Sequence, residues 1–321
     1  MAIEELVRGP VWRQVHGGPV GERMRPLLRE TPLLRGDDGV WLKAEGLQRT
    51  GSFKLRGASA RIAAMSDEER RRGVVAASAG NHGLGIARAA QAFEVAATVV
   101  VPEISPEVKR SGIAALGAQV LVHGRGYDEA AVRAEALAEE TGAIAVSGFD
   151  DEHVIAGSGT LGTDLIDDAG GLGPGDLVVI PVGGGGLASG MIGALHGTGA
   201  TVIGVEPEAN HAMHASLARG RAVIDYPEGG ETMAEGLEGA VSERTFEICR
   251  EGLAEIVLVG EDAMRASIVR AFRRHGLILE ASAAAALAAV EQIGAGGRRV
   301  LCILTGSNLE PGVLDEALRS A

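Results

Sequence analysis

At 321 residues the chain exceeds what one typical hydrophobic core holds, and its 30 basic against 43 acidic residues leave a net charge of −13. That acidity disfavours a nucleic-acid partner, whose phosphates need a basic face, and it disfavours docking on anionic lipid. Apolar residues make up 46% but aromatics only 3%, so the core is expected to be built from Ala, Val, Ile and Leu, with 48 glycines serving tight turns.

The opening Met1-Ala2-Ile3-Glu4-Glu5 lacks the basic and apolar regions of a signal peptide. No stretch reaches the length of an apolar membrane span, and the 281–290 run, interrupted by Ser282, reads as a buried helix. Cys249 and Cys302 form neither a CxxC pair nor a metal spacing, which fits a reduced, cytoplasmic setting.

In chain order, residues 1–30 are weakly patterned, and 40–44 is a short strand. Residues 54–65 have helical spacing, and Ser66-Asp67-Glu68 can cap the next helix. From Val74 strands and helices alternate: strands at 74–77, 96–101, 119–122 and 143–147, helices at 83–93, 106–116, 128–140 and 154–168. A strand at 176–182, a helix through His196 and a strand at 201–205 follow. Residues 207–240 read as irregular; after them come helices 243–251, 262–274 and 282–293 and strands 255–259 and 299–304. Such alternation predicts an α/β fold of parallel twisted sheets covered by helices on both faces. Two clusters of these units suggest two domains with a cleft between them: 1–65 with 150–321 as the large domain, and 66–149 as a small mobile one.

Four segments carry chemistry. In Thr50-Gly51-Ser52-Phe53-Lys54-Leu55-Arg56-Gly57-Ala58 one lysine follows an aromatic and precedes a glycine turn. A lysine amine is a nucleophile only when burial or covalent attachment keeps it deprotonated. An isolated lysine there would be an ordinary surface residue; the flanking glycines and Phe53 favour a walled site. Ser78-Ala79-Gly80-Asn81-His82-Gly83 joins a strand to a helix. Backbone N–H groups at such a helix start suit a substrate carboxylate, and the Asn81 amide can hold a ring hydroxyl. The plainer alternative is a β–α turn capped by Asn81.

Pro181-Val182-Gly183-Gly184-Gly185-Gly186-Leu187 also joins a strand to a helix. It matches neither the nucleotide P-loop nor the dinucleotide fingerprint, so a monophosphate cofactor is expected on Gly183, Gly184, Gly185, Gly186 and Leu187. Leu304-Thr305-Gly306-Ser307-Asn308 ends the last strand. The Thr305 hydroxyl could face a ring nitrogen at this sheet edge, or the segment could be a simple turn.

Jointly these segments resemble the pyridoxal-phosphate-dependent enzymes of fold type II, with a tryptophan synthase β-like architecture. Within them the nearest resemblance is to the serine/threonine dehydratase and serine racemase family, and it runs from Thr31-Pro32-Leu33 to Asn308. The resemblance implies Lys54 as the catalytic Schiff-base lysine, Phe53 beside the ring, Asn81 on the ring hydroxyl, the 183–187 loop on the phosphate and Thr305 at the pyridine nitrogen. It implies a carboxylate clamp from Ser78, Ala79, Gly80, Asn81 and His82, and a homodimer.

The implied activity is α,β-elimination from a 3-hydroxy L-amino acid, L-threonine or L-serine foremost, giving a 2-oxo acid and ammonia. Closure of the small domain would exclude water. A lyase for another substrate such as 3-hydroxyaspartate, phenylserine or a hydroxyectoine-pathway compound, a β-replacement synthase, and a non-catalytic cofactor-binding protein are the alternatives.

Departures from the family narrow this reading. Resembled racemases carry a second catalytic serine where this chain has Ala79, so racemisation is not expected. Of a divalent-cation site only Glu206 is matched, with Ala212 at the aspartate position. His211 and His214 are either substitute ligands or a solvated helix face. Glu280-Ala281-Ser282 lacks the proline common in relatives, which leaves the substrate side chain open.

Overall fold

The computed structural model describes residues 1–37, 39–78, 80–226, 229–239 and 241–319. Three short helices, α1 (Ile3–Arg8), α2 (Pro10–His16) and α3 (Pro19–Met24), precede strands β1 (Leu33–Arg35) and β2 (Val40–Ala44). Helices α4 (Lys54–Ala63) and α5 (Asp67–Arg72) lead into a βα series: β3 (Val74–Ala77), α6 (Asn81–Ala92), β4 (Ala97–Val101), α7 (Glu107–Ala115), β5 (Gln119–Val122), α8 (Tyr127–Thr141), β6 (Ile144–Ala145) and α9 (Glu152–Asp168). A second series holds β7 (Leu177–Pro181), α10 (Gly186–Leu195), β8 (Thr201–Pro207), α11 (Ala212–Arg219), α12 (Glu243–Gly252), β9 (Glu255–Val259), α13 (Glu261–His275), α14 (Ala281–Ile293), β10 (Val300–Leu304) and α15 (Pro311–Arg319).

The chain divides into two compact units, one of residues 1–8, 30–53 and 159–321, the other of 9–29 and 54–158. In the first, a six-stranded sheet runs β1-β2-β10-β7-β8-β9. All its neighbours are parallel except the edge pair β1–β2. Its strand β10, Val-Leu-Cys-Ile-Leu, is buried along its whole length, as a strand covered on both faces must be. The alanine-rich helix α14, buried from Ala281 to Val290, packs on β7, β8, β9 and β10.

The second unit carries a four-stranded parallel sheet, β5-β4-β3-β6. Alternation along β3 explains its two cores. Val74 and Ala76 join Ile62 of α4 and Ile86 of α6, whereas Val75 turns to Ala130 and Ala134 of α8. Ser66 starts α5 with a reciprocal cap: its Oγ takes the Glu69 N–H at 3.2 Å, and the Glu69 carboxylate takes the Ser66 N–H at 2.8 Å.

Several expectations are corrected by the fold. The weakly patterned 1–30 region holds α1, α2 and α3, whose six or seven residues are too short to show a period, although Pro10 and Pro19 at first-turn positions mark two of the starts. The segment read as irregular contains α11, and α15 follows the last predicted strand. The strand expected at 143–147 pairs regularly only at Ile144 and Ala145. Helix α4 groups with the four-stranded sheet because it packs closely on α6, where a side chain at Gly85 would stand 3.1 Å from the Lys54 carbonyl.

Candidate active site

The candidate residues fall into two groups, one in each unit. In the unit of the four-stranded sheet, Lys54 is the first residue of α4, half-buried, and its Nζ donates to the Gly148 carbonyl at 2.9 Å. Helix α6 begins at Asn81, directly after the loop that leaves β3. Ser78 is buried in that loop, and its Oγ accepts the Gly80 N–H at 3.0 Å and the Gly83 N–H at 2.8 Å. A hydroxyl oxygen with both acceptor positions used keeps its own hydrogen to donate. Leu84 N–H opens the helical ladder on Gly80 O. The loop thus presents a helix start, with its positive end of the dipole, to an anion. Gly80, Asn81 and His82 lie together there with Ser78; Ala79 lies outside the described residues.

His82 is the buried member of that group. Its Nε2 lies 3.2 Å from Val146 O. Burial, reinforced by the charge of Lys54, pushes its pKa down to about 3, so the ring is neutral.

In the other unit, Gly183 to Leu187 form the turn from β7 into α10. Gly185 caps the helix with φ +86°, a conformation that suits glycine, and a Cβ there would stand 2.7 Å from Met213 Cε and 2.9 Å from Thr245 Cβ. The helical ladder starts with Ser189 N–H on Gly185 O at 2.8 Å. The N–H groups of Gly186, Leu187 and Ala188 precede it in the first turn, where no intrahelical acceptor exists. Such a glycine-lined cradle fits a phosphate monoester. Thr305, buried, follows β10, and its carbonyl accepts the Phe53 N–H at 3.0 Å. The chain around residues 52 and 306 is bridged as well, so two expected ring neighbours, Phe53 and Thr305, share one sheet end.

Glu206, the last residue but one of β8, is buried. Its two oxygens accept the N–H groups of Met213 and His214 at 2.9 and 2.7 Å, which caps α11. Burial outweighs those two bonds and pushes the carboxyl pKa up to about 8. His211 and His214 meet edge to face with ring centroids 5.6 Å apart, and His211 Nδ1 lies 2.9 Å from Glu208 O. Among the described residues no group of three or more His, Cys, Asp or Glu side chains is placed to hold a metal ion. Both cysteines are free and buried, and burial raises both thiols, that of Cys249 to about 12.

Two features went unread in the sequence. Gly148 acts through its backbone carbonyl, which no residue type announces. Ser282 takes the Gly236 N–H at 3.1 Å, and the Glu280 carboxylate lies where a Cβ on Gly306 would be; only the missing proline drew attention to that segment.

A model of the family described as "Pyridoxal-phosphate dependent enzyme" matches residues 21–306. The chain belongs to this family. An L-threonine ammonia-lyase of Thermotoga maritima is 41% identical over 283 residues, 87% of this chain and 69% of that protein. A protein of Staphylococcus aureus strain N315 named "L-threonine dehydratase catabolic TdcB" is 34% identical, over 93% of this chain and 90% of its own. The solved structure of the processed form of threonine deaminase isoform 2 from Solanum lycopersicum superposes with a TM-score of 0.85 at 32% identity, covering 99% of this chain and 92% of that one. The family makes the chain a pyridoxal-phosphate-dependent enzyme of fold type II. No helix among the described residues is long and apolar enough to cross a membrane.

Proposed function

We propose that this enzyme is an ammonia-lyase, converting a 3-hydroxy L-amino acid, L-threonine or L-serine foremost, into a 2-oxo acid and ammonia by α,β-elimination. The observation that carries the reading is the Lys54 amine held on the Gly148 carbonyl at the head of α4, in the same unit as the Ser78 loop at the head of α6. The similarity to threonine ammonia-lyases and dehydratases along most of the chain supports the same reaction.

Lys54 would hold the cofactor through its amine. Phe53 would lie beside the ring, Asn81 would take the ring hydroxyl, Gly183, Gly184, Gly185, Gly186 and Leu187 would take the phosphate, and Thr305 would serve the pyridine nitrogen. When bound, pyridoxal phosphate supplies an electron sink for the charge left at Cα. The Lys54 amine would be the base that takes the substrate Cα proton, and it could return that proton to the departing hydroxyl. Ser78, Gly80, Asn81 and His82 receive the substrate carboxylate at the α6 start. A neutral hydroxyl at Thr305, unlike a carboxylate, would not force a proton onto the ring nitrogen, which would favour quick loss of the β-substituent. Glu206 is the one residue of a divalent-cation site that the family resemblance matches, and its oxygens accept the first N–H groups of α11. We infer a cytoplasmic homodimer from the family resemblance.

The test is release of 2-oxo acid from L-threonine, L-serine, threo-3-hydroxyaspartate and 3-phenylserine, with and without Mg²⁺. Turnover of threonine or serine is expected. Turnover of the other substrates alone would make the chain a specialised lyase, and silence on all four, in a protein that still binds pyridoxal phosphate, would favour β-replacement or a non-catalytic role.

A further inference from the structure

The His82 side chain does something that its place in the carboxylate loop does not require. Its Nε2 faces Val146 O at 3.2 Å; a carbonyl only accepts, so Nε2 carries the proton and Nδ1 is a lone pair. That Nδ1 is buried and has no hydrogen-bond partner. The ring also lies flat on the next turn of chain: a Cβ at Gly148 would stand 3.2 Å from His82 Cγ and 3.6 Å from Nδ1. The carbonyl of that same Gly148 receives Lys54 Nζ at 2.9 Å. Lys54, His82, Val146 and Gly148 all belong to one compact unit.

We propose that His82 is a positioning residue for Lys54: it fixes the 146–148 segment by a hydrogen bond at one end and by ring contact at the other, and so sets where the lysine amine waits. The inference rests on the reading of Lys54 as the cofactor-bearing residue. A leucine could fill the same space and would spare the unpartnered Nδ1, but it would strip the buried Val146 carbonyl of its donor, so the imidazole serves that carbonyl and not packing alone. The ring suits the task because it donates to Val146 O yet stays uncharged. A second positive charge beside Lys54 would repel the amine in its protonated state, and burial prevents that charge from forming. The 146–148 segment has its own tie to the sheet, Val146 N–H on Val75 O at 2.9 Å, so a shift at His82 is passed to the Gly148 carbonyl rather than lost in a loose loop.

The experiment uses full-length protein from which the cofactor has been resolved. Pyridoxal phosphate is added back, and the growth of the visible absorption band reports covalent capture by the lysine. Affinity for 4-deoxypyridoxine phosphate, which has no aldehyde and cannot bond to an amine, reports the cofactor pocket alone. His82→Leu is expected to slow capture on the order of tenfold while affinity for the analogue is unchanged. His82→Gln, whose side-chain amide can still donate to Val146 O, is expected to recover most of the rate. Gly148→Ala disturbs the same contact from the other side and should also slow capture, which serves if His82→Leu does not fold. Wild-type capture in both His82→Leu and Gly148→Ala overturns the proposal. So does equal slowing in the Leu and Gln variants, or a parallel loss of analogue affinity, because each marks a merely structural ring. Borohydride reduction and peptide mapping of the wild type separate the two readings. A label on a lysine other than 54 removes the reading beneath the inference; a label on Lys54 with unchanged capture removes the inference alone.

Discussion

Ser78 Oγ holds the N–H of Gly83 at 2.8 Å, and so ties the end of β3 to the first turn of α6. The same oxygen takes the Gly80 N–H at 3.0 Å. Ser78→Ala removes an acceptor from two buried amides and is expected to cost about 0.5–2 kcal/mol, the usual worth of a lost helix cap. Denaturant unfolding measures it. Because the hydroxyl hydrogen is left for the substrate carboxylate, KM should rise more than kcat falls. An unchanged KM would take Ser78 out of the binding set.

Lys54→Ala should abolish turnover and leave no covalent cofactor after borohydride reduction. Its fold should survive, since the amine stands at the helix start, where it donates to the Gly148 carbonyl, and outside the hydrophobic core. Elimination retained at a fraction of the wild-type rate, in well-folded protein, would sink the proposed mechanism.

His82 predicts a specific acid sensitivity. Its folded pKa, about 3, lies below its ordinary 6.5, so above that ordinary value the ring is neutral whether the chain is folded or not. As the pH falls through 6.5 toward 3 the unfolded chain binds a proton that the folded chain refuses, and stability declines by roughly 1.4 kcal/mol per pH unit between the two values. His82→Gln should flatten the acid limb of a plot of unfolding free energy against pH. An unchanged slope would mean that the ring is protonated in the fold.

Glu206→Ala strips the acceptor from the amides of Met213 and His214. Each buried unsatisfied donor costs about 1–3 kcal/mol, so a clear drop in melting temperature is expected. Chelation of divalent cations should leave wild-type turnover unchanged. A loss of activity on chelation, restored by Mg²⁺, would show that Glu206 serves an ion as well as the helix.

Much of the site was legible because each segment carries a local signal. Glycines at a strand-to-helix turn mark 183–187 and 80–83, and Ser66-Asp67-Glu68 marks the start of α5. What was illegible depends on contacts between distant stretches. Phe53 meets Thr305 through a backbone bond whose partners any residues could supply. Gly148 likewise presents a carbonyl rather than a side chain to Lys54. Helix α4 sits with the four-stranded sheet through packing on α6, which no periodicity in either helix reveals. Short helices such as α1 and α11 escaped because a single turn or two gives too few apolar positions to repeat.

Helix α14 has one further consequence. From Ala281 to Val290 it is buried without a break, and seven of those ten residues are alanines against the sheet that ends at Thr305. A methyl group cannot rotate out of the way, and a larger one in a full interior costs about 1–3 kcal/mol. Evolution therefore has little room on this helix. Drift toward a new substrate must enter through segments with side chains to spare, and the alanine helix is the part of the lineage expected to change last.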